Sequence, residues 1–205
     1  MVRIQKIITD KKSACICLDN GDKYWLRPED IAAAGFKEDQ EYESSNFDHW
    51  IKVCQYPRAL NLAVAMLARR PCSKEEIRKR IICCRHTEEI ADLVIYKLEK
   101  ENLLNDKIFC EHWIHYRQQK GYGSSVIRRE LIMKGVSEET VCQFLSSIDP
   151  DEEKDTAVVL ARKVWKRLKP DEDVRKNRQK VVLFLVRKGF DWSTAKTACR
   201  IAENE

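Results

Sequence analysis

At 205 residues, with 43% hydrophobic and 35% charged side chains, the chain has enough apolar content to exclude global disorder and enough charge to require much solvated helix surface. Six glycines and five prolines are too few for the turns of an all-β sandwich, so helix is the base expectation. The formal net charge of +5 is uneven: residues 1–56 hold 8 basic and 10 acidic side chains, the remainder 30 and 23, which turns the C-terminal part toward a polyanion or an acidic protein surface.

No charged-then-apolar leader and no membrane-length apolar run is present, so a cytoplasmic protein is expected, with no membrane partner. Nine cysteines without framework spacing fit reduced, mostly buried thiols better than disulfides.

The chain begins with β-type runs, "VRIQKIIT", "SACICLD" and "DKYWLR", with Asn20-Gly21 as a hairpin signal between the last two. Pro28 opens a short helix that Gly35 ends. A polar stretch, "KEDQEYESSN", joins this segment (residues 1–56) to the helical remainder of the chain.

From Pro57 the period becomes helical. Leu60, Val64 and Leu67 form one apolar stripe, and Phe109, Trp113 and Tyr116 another. Val141, Phe144, Leu145 and Ile148 repeat the spacing, as do Leu160, Val164 and Leu168. Caps divide these runs into about eight or nine helices: Ser73 with Glu76 as a capping box, Thr87 and Ser137 before paired glutamates, and Gly135 and Gly189 as left-handed stops.

The punctuation recurs. Leu131 and Leu185 lie 54 residues apart, as do Gly135 and Gly189. The same step backward from Leu131 reaches Ile77, in a first unit where "ICCRH" replaces the Lys-Gly stop and lengthens the second helix. The expected fold is mainly α: three tandem three-helix modules (57–105, 106–150 and 151–205) after a small N-terminal β-like segment with its short helix. Units of about fifty residues cover one another's apolar faces, which predicts an elongated, curved row suited to a long groove.

On these residues the chain resembles the RecX family. "ALNLAVAMLARRPCSKEEIRKRI" is similar to its opening unit through Arg69, Arg70, Pro71, Ser73, Glu76 and Ile77, with Ile where the family has Leu. The block from Leu98 to Ser137 resembles the central unit most closely, through Leu104, Asp106, Phe109, Arg117, Gly121, Gly123, Ile127, Glu130, Leu131, Lys134, Gly135 and Val136. Phe184, Leu185, Arg187, Lys188, Gly189 and Phe190 resemble the closing unit. The likeness runs from Pro57 to Ala202 and departs at Cys110, where the family often has Ala.

The resemblance implies a monomeric, non-catalytic modulator of the RecA recombinase. It would lodge in the groove of the RecA–single-stranded DNA filament and limit filament growth, ATPase, strand exchange and co-protease activity. That places it in DNA repair, homologous recombination and the SOS response, with no cofactor. Duplex DNA is a further candidate partner.

Such a partner needs cations spread along an extended face. The candidates are Arg69, Arg70, Arg78 and Arg80, then Arg117, Lys120, Arg128, Arg129 and Lys134. The last module offers Lys163, Lys166, Arg167, Arg175, Lys176, Arg178, Lys180, Arg187 and Lys188. Against this stands the ordinary reading of charge runs as solvated helix faces.

"KGYGSS" (Lys120–Ser125) has the look of an anion-binding loop before a helix, but lacks Walker spacing, and a tight turn is the commoner use of its glycines. His112 and His115 near Cys110 lack a fourth ligand for zinc, and no Cys–His catalytic signature flanks them. Trp113 and Trp165 fall on core stripes, Phe190 packs back on its helix, and Tyr122 and Trp192 fall where a ring can be exposed to stack on bases. The competing function is a helix-turn-helix regulator acting on DNA directly through "SSVIRRELIMKG", although Glu130 and its apolar neighbours read as packing. No enzymatic constellation emerges, and no metal site.

Overall fold

A computed structural model describes residues 1–11, 13–168 and 173–204, and these fall into two compact units, Met1–Asn105 and Asp106–Glu205. The connection 169–172 inside the third expected module lies outside the described residues. Among the described residues there are ten helices and one small sheet.

In the first unit, β1 (Val2–Thr9), β2 (Ala14–Leu18) and β3 (Lys23–Leu26) form an antiparallel meander. Gly21, at φ 91°, lies in the turn between β2 and β3. α1 (Pro28–Ala34) ends on Gly35 at φ 71°. The polar stretch read as a linker instead contains β4 (Glu41–Tyr42), which adds to β1 and gives the order β3-β2-β1-β4. Polar composition hid it because Tyr42 alone packs inward, edge-on to Phe36 at 5.1 Å. Ile4, Ile16, Leu18 and Leu26 meet Phe36 and Phe47 to make this core.

The onset of helix at Pro57 needs correction. α2 (Ser44–Leu67) starts thirteen residues earlier and runs unbroken through Pro57. Its buried row is Phe47, Ile51, Gln55, Ala59 and Ala63, a strict four-residue spacing, whereas Val64 is 43% exposed. The small Ala59 and Ala63 let α3 (Lys74–Cys83) and α4 (Glu88–Lys100) close in, so the large residues of the expected stripe flank the contact.

Because α2 crosses from the sheet to the helices, it fastens one to the other. Gln55 is fully buried; its amide donates to the Trp25 carbonyl at 3.0 Å and accepts from the Thr87 N–H at 3.0 Å. Arg58 donates to Asp30 at 2.7 Å. Burial alone would raise the Asp30 pKa, but hydrogen bonds from Arg27 and the charge of Arg58 outweigh it and hold the carboxyl below its usual value.

The second unit holds α5 (Asp106–Gln119), α6 (Ser124–Met133) and α7 (Glu138–Leu145) around Phe109, Cys110, Ile127, Leu131 and Val141. It continues with α8 (Pro150–Trp165), α9 (Val174–Lys188) and α10 (Trp192–Glu203) around Ala157, Ala161, Leu185, Phe190 and Ala198.

The repeat is visible in the middle helix of each triplet. α6 ends with Val136 N–H donating to the Leu131 carbonyl and Gly135 N–H to Ile132, and α9 with Phe190 to Leu185 and Gly189 to Val186. α3 ends in the same way, His86 donating to Ile81 and Arg85 to Ile82. Arg85 therefore takes the left-handed place of the glycines, at φ 67°. Leu131 and Leu185 correspond to Ile81, not Ile77. α3 is not lengthened: it has 10 residues, as α6 does. Ile81 and Leu131 are therefore 50 residues apart and Leu131 and Leu185 54, a difference of about one helical turn.

The caps hold where expected. Ser73 and Glu76 form a reciprocal box at 3.1 and 3.2 Å, and Thr87 and Ser137 accept from Ile90 and Thr140. All nine cysteines are free thiols, four buried, two intermediate and three (Cys83, Cys84, Cys142) exposed, so the expectation of mostly buried thiols is only partly met. Among the described residues no helix is long and apolar enough to cross a membrane.

Candidate functional site

The loop Lys120–Ser125 lies in the second unit, with its backbone amides bonded within the protein. Gly121, at φ 72°, turns the chain after α5. Gly123 then meets the end of α9 backbone to backbone: its N–H donates to the Lys188 carbonyl at 2.9 Å, and Ser125 N–H donates to Gly189 at 3.1 Å. The Ser124 N–H and hydroxyl both donate to Glu153 of α8, at 2.8 and 3.0 Å. The amides that make a helix N-terminus attractive to phosphate are thus already engaged, with the Glu153 carboxylate in the anion's place. Sequence reasoning missed Glu153, and nothing in its local pattern marks it.

Beside this loop, cations lie on aromatic rings. The Arg117 guanidinium is 3.7 Å from the Tyr122 ring centroid and the Lys188 ammonium 4.1 Å from it. Lys134 lies 4.1 Å from Trp113 and Lys120 5.8 Å from Tyr116. Glu130 accepts from the Trp113 indole N–H at 3.1 Å and from Arg117. Tyr122 is consequently half-buried between charges, not a free stacking surface. Trp113 and Trp165 are half-buried, Phe190 is buried, and Trp192 is 52% exposed.

The sequence-predicted cations separate into three groups. Arg70 pairs with Glu76, Arg78 with Asp92 and Glu88, Arg117 with Glu130, Arg128 with Glu138, and Arg178 with Glu203. These charges already have a structural use. Lys120, Lys134 and Lys188 are those held over rings, and Arg187 donates back to the Leu183 carbonyl at 3.2 Å. Arg69, Arg80, Arg129, Lys163, Lys166, Arg167, Arg175 and Lys176 are exposed and carry no ion pair among the described residues; Lys180 is exposed on α9. Arg117, Lys134 and Lys188 come together near Trp113 and Tyr122.

Cys110 and the two histidines are separated by the helix itself. Cys110 is buried, which pushes its thiol up to about 11, whereas His112 and His115 are exposed and His115 contacts Gln119 at 2.9 Å. Among the described residues no group of three or more His, Cys, Asp or Glu side chains is placed to hold a metal ion.

Triplets of helices, each with its own apolar core and a common left-handed stop, define a protein built of repeated three-helix domains. The profile of the second three-helix domain of RecX matches residues 105–145, and that of the third matches residues 151–199. Regulatory protein RecX of Clostridium perfringens (strain 13 / Type A) is 30% identical over 85% of this chain and 82% of its own length. The RecX of Corynebacterium efficiens is 32% identical over 70% of each chain. The chain belongs to the RecX family of regulatory proteins. Crystal structures share the fold: a regulatory protein RecX at TM-score 0.66 and 20% identity over the whole of both chains, and RecX from Lactobacillus salivarius at 0.67 and 21% over 74% of this chain and 98% of that one.

Proposed function

We propose that the protein is a non-catalytic modulator of the RecA recombinase that binds the RecA–single-stranded DNA filament and limits its growth, ATPase, strand exchange and co-protease activity. The observation that carries this is the distribution of free cations. Arg69 and Arg80 on the first helix triplet, Arg129 on the second, and Lys163, Lys166, Arg167, Arg175 and Lys176 on the third have no ion pair among the described residues. Charges left unpaired on every module suit a partner that carries repeating anions. Residues 57–105, 106–150 and 151–205 would each contribute one such module, acting as a monomer in the cytoplasm.

The helix-turn-helix alternative receives less support. Glu130 is held by Trp113 and Arg117, the N-terminal amides of α6 are engaged, and Arg128 is paired with Glu138. That leaves little of α6 to read base edges.

DNA-dependent ATP hydrolysis by RecA, measured against increasing amounts of this protein, tests the reading. Inhibition at near-stoichiometric or lower levels is expected, with binding to the filament stronger than to bare single-stranded or duplex DNA across several salt concentrations. Unaltered ATPase, or equal binding to all three, would overturn it.

A further inference from the structure

α10 is amphipathic in an unusual way. Its inner face buries Ala195, Ala198, Cys199 and Ala202. Its outer face carries Trp192, Lys196 and Arg200, spaced i, i+4 and i+8, so all three project from one side over about two turns. Trp192 is one of the two rings the sequence places where it can stack on bases, whereas neither Lys196 nor Arg200 is among the cations read from it as contact candidates.

This face borders a concavity of about 610 Å³ between α9 and α10, where Val182 and Cys199 form an apolar floor. The Trp192 ring is 52% exposed, although an indole so placed forgoes a large burial gain. Lys196 lies 5.4 Å from its ring centroid. Neither Lys196 nor Arg200 forms an ion pair among the described residues. The carboxylate on the rim, Glu203, is held by two hydrogen bonds from Arg178, at 2.7 and 2.6 Å. Nearby Asp191 is turned into its own helix cap by Ser193 and Thr194. The net charge offered by Arg178, Lys196, Arg200 and Glu203 is therefore positive. Gln179 on the opposite wall supplies a neutral amide able to donate and accept.

We propose that this concavity is a binding site for an unpaired nucleotide segment, a nucleobase lying on Trp192 with flanking phosphates on Lys196 and Arg200. The elements are a flat apolar plate, two cations without ion pairs at one-turn intervals beyond it, the nearer of them lying by the ring, and an amide in the same concavity, a combination that suits single-stranded nucleic acid. An acidic protein segment would need an apolar side chain set beside its carboxylates to cover the indole as well as the cations, whereas every nucleotide unit carries a flat face and an anion together. A duplex keeps its base faces stacked inside and cannot use the plate. The inference extends the filament reading, on which its biological setting rests, to the nucleic acid itself.

The test uses the full-length protein alone, with no recombinase, so its failure is distinct from failure of the filament reading. Binding of a labelled oligodeoxythymidylate about fifteen nucleotides long, in the range of known single-strand site sizes, is followed by anisotropy. Trp192→Ala is expected to raise Kd about 5- to 100-fold, the range of one lost base–aromatic stack, and Trp192→Phe to recover most of the affinity. Lys196→Ala is expected to lower the slope of log affinity against log salt by about 0.7, one single-strand phosphate contact. Saturating oligonucleotide should quench wild-type indole emission, and the quenched component should be missing from Trp192→Phe. The proposal is overturned by no binding to the wild type, by equal affinity of wild type and Trp192→Ala, by a duplex that binds as well and is weakened equally, or by identical quenching in Trp192→Phe.

Discussion

Gly123 and Gly189 meet backbone to backbone, so closely that a Cβ on Gly123 would lie 2.5 Å from the Gly189 carbonyl carbon. The reverse also holds: a Cβ on Gly189 would lie 2.6 Å from the Val126 nitrogen. Since the obstructing atoms are backbone, no rotamer change relieves them. Gly189→Ala carries an additional left-handed penalty at φ 98° and should cost about 2–5 kcal/mol in urea denaturation. Gly123→Ala should cost about 1–3 kcal/mol from crowding alone. Gly35→Ala is the control. Its φ of 71° is also left-handed but nothing lies within 4 Å, so only about 1–2 kcal/mol is expected.

How far the sequence reveals this region depends on what each residue signals locally. Gly189 is legible as a helix stop, because a glycine after Arg187-Lys188 and before Phe190 follows the chemistry of a left-handed cap. That it also touches Gly123 is a tertiary fact with no periodic trace. The β-meander and the caps at Ser73, Thr87 and Ser137 are legible for the same local reason. The core row of α2 is not, because Gln55, Ala59 and Ala63 look polar or neutral and Pro57 looks like a boundary. Among the cations, sequence reveals clustering but not pairing: Arg129 is free and its neighbour Arg128 is bound to Glu138.

Gln55 offers a sharper test of how the sheet is attached to the first helices. Gln55→Leu leaves a buried acceptor on Trp25 and a buried donor on Thr87, and should cost roughly 2–6 kcal/mol, since each orphaned group costs about 1–3. Gln55→Glu places a carboxylate oxygen against the Trp25 carbonyl, which raises its pKa in the folded state. The neutral form can still donate there. Stability of that variant should be higher below about pH 4.3, the unfolded value, and fall as pH rises through the folded one. A pH-independent melting difference from wild type would contradict the bridging geometry.

Arg85 holds a conformation that glycine occupies in the other two triplets, and its guanidinium lies 3.8 Å from the Trp25 ring centroid. Arg85→Ala loses the stack, worth about 0.5–1 kcal/mol at an exposed site, and keeps the left-handed strain. Arg85→Gly loses the stack but relieves about 1–2 kcal/mol of strain, partly offset by the entropy of glycine in the unfolded chain. The expected order in thermal melts is Arg85→Gly at least as stable as Arg85→Ala. The reverse order would mean that the stack, not the turn, sets this position.

The sorting of cations predicts two different responses to substitution. Arg129→Glu reverses a free, exposed charge and should leave the unfolding free energy within the small range of surface changes, about 0.5 kcal/mol, while weakening inhibition of the recombinase. Arg117→Ala removes the partner of Glu130 and the cover of Tyr122, and should cost about 2–4 kcal/mol whatever its effect on inhibition. Measuring stability and ATPase inhibition on the same preparations separates the classes. Loss of stability in Arg129→Glu, or none in Arg117→Ala, would show the pairing to be misassigned.

Asp191 supplies a pH test at the other end of the repeat. Its carboxylate accepts from the Ser193 N–H and hydroxyl, each at 2.7 Å, and from the Thr194 N–H at 2.9 Å. These bonds, those of the Ser193 and Thr194 side chains foremost, hold the Asp191 pKa at about 2, below the ordinary 3.8. A depressed carboxylate stabilises the fold above the unfolded pKa, and the contribution disappears as pH falls through the folded one. Asp191→Ala should therefore cost about 0.5–2 kcal/mol near neutrality, the usual worth of an N-cap. That difference should shrink between about pH 4 and pH 2, where wild type loses its own cap charge. Asp191→Asn keeps a capping oxygen without a titratable group, so its stability should not share the wild-type decline in that window. If wild type and Asp191→Asn lost stability in parallel, the carboxylate would not be the titrating group at this helix start.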